Sequence, residues 1–301
     1  MRTTIGATHV ICGALLTTML SGCGRTAAAG PRAQAQLAKE IREKLQSDAP
    51  AADTAAAAAE STGTGWGTLK GTFTFVGTPP APTPLKADKD TEVCGKGGPL
   101  LDNSLVVGSD GGIANIVVYA RAKRVHESAQ PLGEGAGPEV VFDQKNCMFL
   151  THVLAFQVGS KLEIRNSDPI GHNTKIEPQK NVPFNQMLAN NQTVPYAATN
   201  EEALPAAVSC SVHTWMRAYM LPRKDKYFAV TKPDGSFEIP NLPAGEELEL
   251  QVWHERGGGA GGGLSLDNKE LKWTSKGRFK IKLEPDQTLT LALKVPAAAF
   301  K

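Results

Sequence analysis

Cys210, His213 and Met216 stand together as C-x-x-H-x-x-M, and a second imidazole, His172, lies 38 residues upstream of Cys210. One thiolate, two imidazoles and one thioether form a soft donor set that favours copper over hard cations. Trigonal His₂Cys with a weak axial Met is the ligand set of a type 1 copper centre. Cu(I) and Cu(II) prefer different geometries, so fast electron transfer needs a site that barely changes between them. Three donors on one tight loop, clamped by His172 from a distant loop, would give such a site if the scaffold is rigid. The expectation is one type 1 copper and single-electron chemistry.

The scaffold reads as β-structure. Glycine (30) and proline (20) are plentiful and separate valine- and threonine-rich runs, which suggests strands and turns. Residues 68–76 alternate, with Leu69, Phe73 and Phe75 as inward positions and Gly71 as a bend or bulge. Further strands are expected at 104–107, 113–120 and within 140–158. Residues 161–166 form a period-2 strand ending just before the His172 loop, and 208–221 closes the unit. Beyond Pro222, strands are expected at 227–231, 236–239, 248–253, 278–283 and 288–295, with a turn at 241–245. The glycine-rich block 257–263 reads as a flexible excursion. The fold class expected is all-β, with residues 66–222 in one sandwich and 223–301 in a smaller one.

At 301 residues, two domains are expected once the ends are removed, and a net charge of +2 argues against a nucleic-acid partner. Arg2 precedes an apolar run, 5–20, too short for a comfortable membrane span. The run ends in Leu20-Ser21-Gly22-Cys23, which resembles a bacterial lipoprotein lipobox. Residues 1–22 then read as a signal peptide, Cys23 as the lipidated terminus, and 23–65 as a lipidated tether rich in Ala, Ser, Thr and Gly. The protein would stand extracytoplasmically, in the periplasm, anchored to the membrane through that lipid. Gly24 after the cysteine favours the outer membrane over the inner. Of five cysteines, Cys12 leaves with the signal and Cys23 carries lipid. Cys94, Cys147 and Cys210 remain in an oxidising compartment. Cys210 has the metal-ligand neighbours, which leaves Cys94 and Cys147 as a structural disulfide.

The pairing of N-x-D-x-x-x-H-N (166–173) with C-x-x-H-x-x-M resembles the cupredoxins, and the two-residue gap before Met resembles the amicyanin branch. The resemblance covers 142–221 well, and 66–141 only as extra strands. It implies a Greek-key sandwich in which His172, Cys210, His213 and Met216 hold the copper. It also implies second-sphere roles for Asn173, beside the first His, and for Ser211, after the Cys. His213 would reach the surface as the electron port, within an apolar patch around Ile170 and Trp215, and the partners would be transiently docking redox proteins. Gly171 departs from the proline common in the family. The whole arrangement is similar to methylamine-utilisation-like cupredoxin proteins of bacteria. The last segment resembles carboxypeptidase-regulatory, transthyretin-like sandwiches, which have no catalytic residues of their own.

His152 reads as a strand histidine fixed by a hydrogen bond, with a metal role as the alternative. His254 reads as structural beside Trp253, His126 as an exposed loop residue, and Met187 and Met220 as core filler. No Ser-His-Asp set or phosphate loop is suggested, and six histidines are too few for a copper oxidase, so no enzyme is expected. The rival reading is a non-redox copper-holding, copper-delivery or surface-binding lipoprotein. A third gives the C-terminal segment a carbohydrate- or protein-binding role.

Overall fold

The computed structural model describes residues 64–301 apart from 268 and 269. The expected signal peptide, Cys23 and nearly all of the expected tether lie outside the described residues. No described helix is long and apolar enough to cross a membrane. The described residues form sixteen strands and three short 3-10 turns. The strands are β1 (Trp66–Val76), β2 (Val117–Arg121), β3 (Glu139–Lys145), β4 (Met148–Phe149), β5 (Val153–Gln157), β6 (Lys161–Asn166), β7 (His172–Glu177) and β8 (Phe184–Leu188). They continue with β9 (Thr193–Tyr196), β10 (Ala206–Ser209), β11 (Arg217–Arg223), β12 (Phe228–Val230), β13 (Ser236–Pro243), β14 (Glu247–Trp253), β15 (Arg278–Lys282) and β16 (Thr288–Pro296). The described residues are all-β, as the composition implied.

The strands make four sheets, two to each core. The sheets β13-β1-β16 and β12-β2-β14-β15 enclose a core that includes Leu69, Phe73, Ile116, Val118, Phe237, Leu250, Phe279 and Val295. The sheets β5-β11-β10-β7-β8 and β4-β3-β6-β9 enclose a second core containing Phe142, Ile164, Ile176, Leu188, Val208, Cys210, Met216 and Met220. A small cluster, Val117, Tyr119, Val153, Leu221 and Trp253, joins them. Period-2 patterning explains the placement: Leu69 and Phe73 are fully buried while Lys70 and Thr72 on the opposite face are exposed.

Several expectations need correction. The division at 222/223 is not where the sheets divide. β1 pairs in parallel with β16 along its length and antiparallel with β13, and β2 lies between β12 and β14. The N-terminal strands therefore complete the sandwich of the C-terminal segment, because each supplies an apolar face that only that segment's sheets cover. The register shift in β1 falls between Gly67 and Leu69, not at Gly71. Gly71 is a site of close packing, where a Cβ would lie 2.6 Å from the Phe237 ring. Residues 104–107 form no strand, only a bridge from Val107 to Ile113. The block 257–263 is folded: Gly261 accepts the Trp253 indole N–H at 2.9 Å, and Ala260–Gly262 make a 3-10 turn. Met187 is 57% exposed, whereas Met220 is core.

Candidate metal centre

β10 ends at Ser209 and β11 begins at Arg217, so the hairpin between these antiparallel strands contains Cys210, His213 and Met216. The loop is closed by its own backbone, with Cys210 N–H donating to Met216 O at 3.3 Å and Met216 N–H to His213 O at 2.9 Å. β7 pairs with β10 on the other side and begins at His172, so the ladder carries His172 and Asn173 towards the loop. Asn173 fastens the two: its Oδ1 accepts the Ser211 N–H at 3.0 Å, and its own N–H points at Cys210 Sγ at 3.3 Å. Ser211 contributes through its backbone, since its side chain faces solvent.

His172, Cys210 and His213 each present one ligand atom, all within 4.8 Å of one another. His172 Nδ1 and His213 Nδ1 are 2.9 Å apart, and Cys210 Sγ is 3.9 Å from His213 Nδ1. The two histidines and Met216 have no exposed surface, and Cys210 is 2% exposed. Met216 belongs to the same core as Cys210. The sequence thus named residues from two distant loops that the fold brings into one enclosed pocket.

The polar surroundings say what this pocket suits. His172 Nε2 meets Asp168 Oδ2 at 2.7 Å, and His213 Nε2 meets Asp90 Oδ2 at 2.8 Å. A carboxylate only accepts, so each Nε2 carries the proton and each Nδ1 turns a lone pair towards the other and towards sulfur. Such a convergence needs a proton or a cation at its centre. In the metal-free chain a proton serves. Burial alone would push the His172 imidazole down, but hydrogen bonds and charge from Asp168 and Cys210 outweigh it and raise its pKa to about 9. Burial would push the Cys210 thiol up, yet the His172 hydrogen bond and N–H groups of His213, Asn173 and Val212 bring it down to about 6. A thiolate, two oriented imidazoles and a buried thioether fit a copper ion by donor chemistry.

Sequence reading missed the two carboxylates. Asp168 lies within N-x-D-x-x-x-H-N, so its spacing to His172 was the available signal. It also accepts the Asn146 and Cys147 N–H groups, both at 2.7 Å, which with the His172 bond hold its carboxyl low despite burial. Asn166 braces the same loop, its Nδ2 donating to Ile170 O at 2.7 Å and Ala189 O at 3.0 Å. The Ile170 bond falls directly before Gly171 and so fastens the turn into His172. Asp90 carried no signal, being 120 residues from Cys210 in a proline-flanked loop.

The expected electron port at His213 is corrected. Residues 83–102 lie over that edge, so His213 is enclosed, while Ile170 and Trp215 are half-buried. The Trp215 ring is 5.1 Å from that of His213 and donates its indole N–H to Cys147 O at 3.0 Å. Cys94 and Cys147 form the expected disulfide, with a Cα–Cα distance of 5.3 Å.

The other candidates sit apart. His152 pairs with Glu255. His254 is buried against Phe300, and burial, with His152 and Arg256 nearby, drops its pKa to about 3. His126 caps a 3-10 turn and packs edge-on against Trp66.

No family profile matches the chain, and no curated protein does. Among solved structures, a Cu-containing nitrite reductase from Thermus scotoductus SA-01 aligns at 21% identity and a TM-score of 0.27, over 31% of this chain and 25% of its own. This chain therefore spans a quarter of that reductase. An oxidized amicyanin mutant aligns at 19% identity and a TM-score of 0.26, over 35% of this chain and 99% of its own. A purple cupredoxin from Nitrosopumilus maritimus aligns at 17% identity and 0.24, over 29% and 99%.

Proposed function

We propose that the chain is a one-electron carrier with a single type 1 copper held by His172, Cys210, His213 and Met216. The observation that supports this reading is the meeting of two Nδ1 lone pairs and one thiolate in an enclosed pocket, with Met216 in the same core. Bound at these donors, copper supplies one reversible Cu(I)/Cu(II) couple. The chain's own part is positional. Asp168 and Asp90 fix the tautomer and direction of the two imidazoles, and Asn173 locks the thiolate loop to β7. Exclusion of water keeps the donor set from relaxing between oxidation states. Trp215 joins His213 to the surface, so redox partners dock there rather than at a histidine edge. On the strength of residues 20–23, the carrier belongs at the extracytoplasmic face of a membrane, held by lipid on Cys23.

The test is the visible and electron paramagnetic resonance spectrum of residues 59–301, one compact unit, loaded with Cu(II) beside a Cys210→Ser control. Intense thiolate-to-copper charge transfer, absent from the control, is expected. A colourless wild-type protein would end the copper reading.

One observation favours a second reading, a copper-holding protein without redox duty: both imidazoles are fully enclosed. Voltammetry separates the two, since a carrier cycles reversibly without losing metal and a holding protein does not.

A further inference from the structure

Residues 83–102 form a loop closed at its base, with Leu85 N–H donating to Leu100 O at 2.8 Å and Asp102 N–H to Thr83 O at 2.9 Å. Leu85, Val93 and Leu100 pack onto the core that contains Cys210. At its crest Asp90 adopts a left-handed backbone, φ +48, which Asp tolerates better than most residues but still at some cost. That turn aims the Asp90 carboxylate at His213 and lets the Asp90 carbonyl accept from Val93 and Cys94 N–H, each at 2.8 Å. Cys94 follows at once and is bonded to Cys147.

Cys147 in turn is tied to both sides of the centre. Its N–H donates to Asp168, the partner of His172, and its carbonyl accepts from Trp215. The disulfide sulfurs lie with a His213 ring nitrogen inside 4.8 Å. One covalent bond therefore connects the cover over His213 to the supports of both imidazoles.

We propose that residues 83–102 are a clasp, locked by Cys94–Cys147 and latched by Asp90 on His213, that controls entry to and exit from the donor cluster, and that dithiol reductants open it. In that step the sulfur–sulfur bond breaks, Cys94 and Cys147 each gain one electron and one proton, and the two thiols of the reductant become a disulfide. Asp90 is then a positioning residue whose hold depends on the bond four residues away. What the clasp retains rests on the copper reading above; the occlusion itself does not.

The experiment follows alkylation of Cys210 by iodoacetamide in the metal-free full chain, localised by peptide mass spectrometry, alongside thermal melting. Asp90→Gly suits the left-handed backbone while removing the latch, and should alkylate about tenfold faster than wild type, as expected for loss of a local closure. Asp90→Asn, which keeps a polar group facing His213, should stay near the wild-type rate. Cys94→Ala/Cys147→Ala should accelerate at least as much as Asp90→Gly. In the copper-loaded chain, the same two fast variants should pass Cu(I) to bicinchoninate correspondingly faster. Wild-type alkylation rates in both fast variants overturn the proposal. So does acceleration that comes only with loss of the melting transition, because global unfolding would then expose the thiol. A wild-type chain that takes up no copper would sink the copper reading and leave the alkylation result to decide the clasp.

Discussion

At the scale of single residues, the centre sets a raised imidazole at His172 against a lowered thiol at Cys210. His172 is raised above its ordinary 6.5, so the stability it contributes is complete below that value and is lost as pH climbs through about 9. Cys210 is depressed from 9.0, so its contribution has the other sign, complete above 9.0 and lost as pH falls through about 6. Between 6.5 and about 9 the two slopes oppose each other, so the metal-free chain should change little in stability there and lose it only as pH falls from 6.5 towards about 6. Its ultraviolet thiolate absorbance, taken as a difference from Cys210→Ser, should disappear over the same range. A thiolate signal that emerged only towards pH 9 would contradict the geometry. Asp168 offers a second test. Asp168→Asn places an amide against an imidazole N–H and two backbone N–H groups, and should destabilise the fold by about 1–3 kcal/mol in urea. Copper affinity, measured by chelator competition, should fall about 10- to 100-fold, the usual effect of losing a ligand's carboxylate partner.

At the scale of elements, period-2 patterning was legible wherever one face of a strand met a core. Residues 161–166 read as a strand with its observed bounds, and Leu69, Phe73 and Phe75 as inward positions of β1. It was less legible where chemistry, not periodicity, decided. The glycine block 257–263 looked shapeless because no side chain announces its partners. Yet a Cβ on Gly262 would lie 2.4 Å from the Trp253 indole nitrogen, so the glycines are there to let backbone approach that ring. Gly235 makes the same point more sharply. Its φ is +75, and a Cβ there would sit 2.2 Å from the Phe73 carbonyl oxygen, in the turn that delivers β13 to β1. Gly235→Ala should lower the melting temperature of the whole sandwich, whereas Gly77→Ala, with open space around its Cβ, should cost only the strain of its positive φ. Equal effects from the two would show that the close approach is not what Gly235 serves.

At the scale of the whole molecule, the two sandwiches are not sequential units. β1 lies between β13 and β16, so a fragment ending at residue 222 keeps Leu69, Phe73 and Val118 but loses the sheets that cover them. Such a fragment, 66–222, should expose apolar surface and bind a hydrophobic dye, while 59–301 should not. If 66–222 melts cooperatively without dye binding, the interleaving is dispensable. The donor cluster lies in the other sandwich, which the C-terminal strands reach through the shared cluster of Val117, Tyr119, Val153, Leu221 and Trp253 and through the His152–Glu255 pair.

The sequence by itself determined the donor types, the strand-rich composition and the pairing of Cys94 with Cys147, because ligand chemistry, periodicity and cysteine count are local or arithmetic properties. It also contained Asp168 within hydrogen-bonding spacing of His172. Only the tertiary structure decided which carboxylate meets His213, that His213 is enclosed, and that the N-terminal strands complete the C-terminal sandwich. Those outcomes depend on contacts between residues more than a hundred positions apart, such as Asp90 with His213 and Thr68 with Thr288. Sequence spacing holds no information about such contacts until the backbone has folded, because the apolar faces that bring them together are satisfied only by one another.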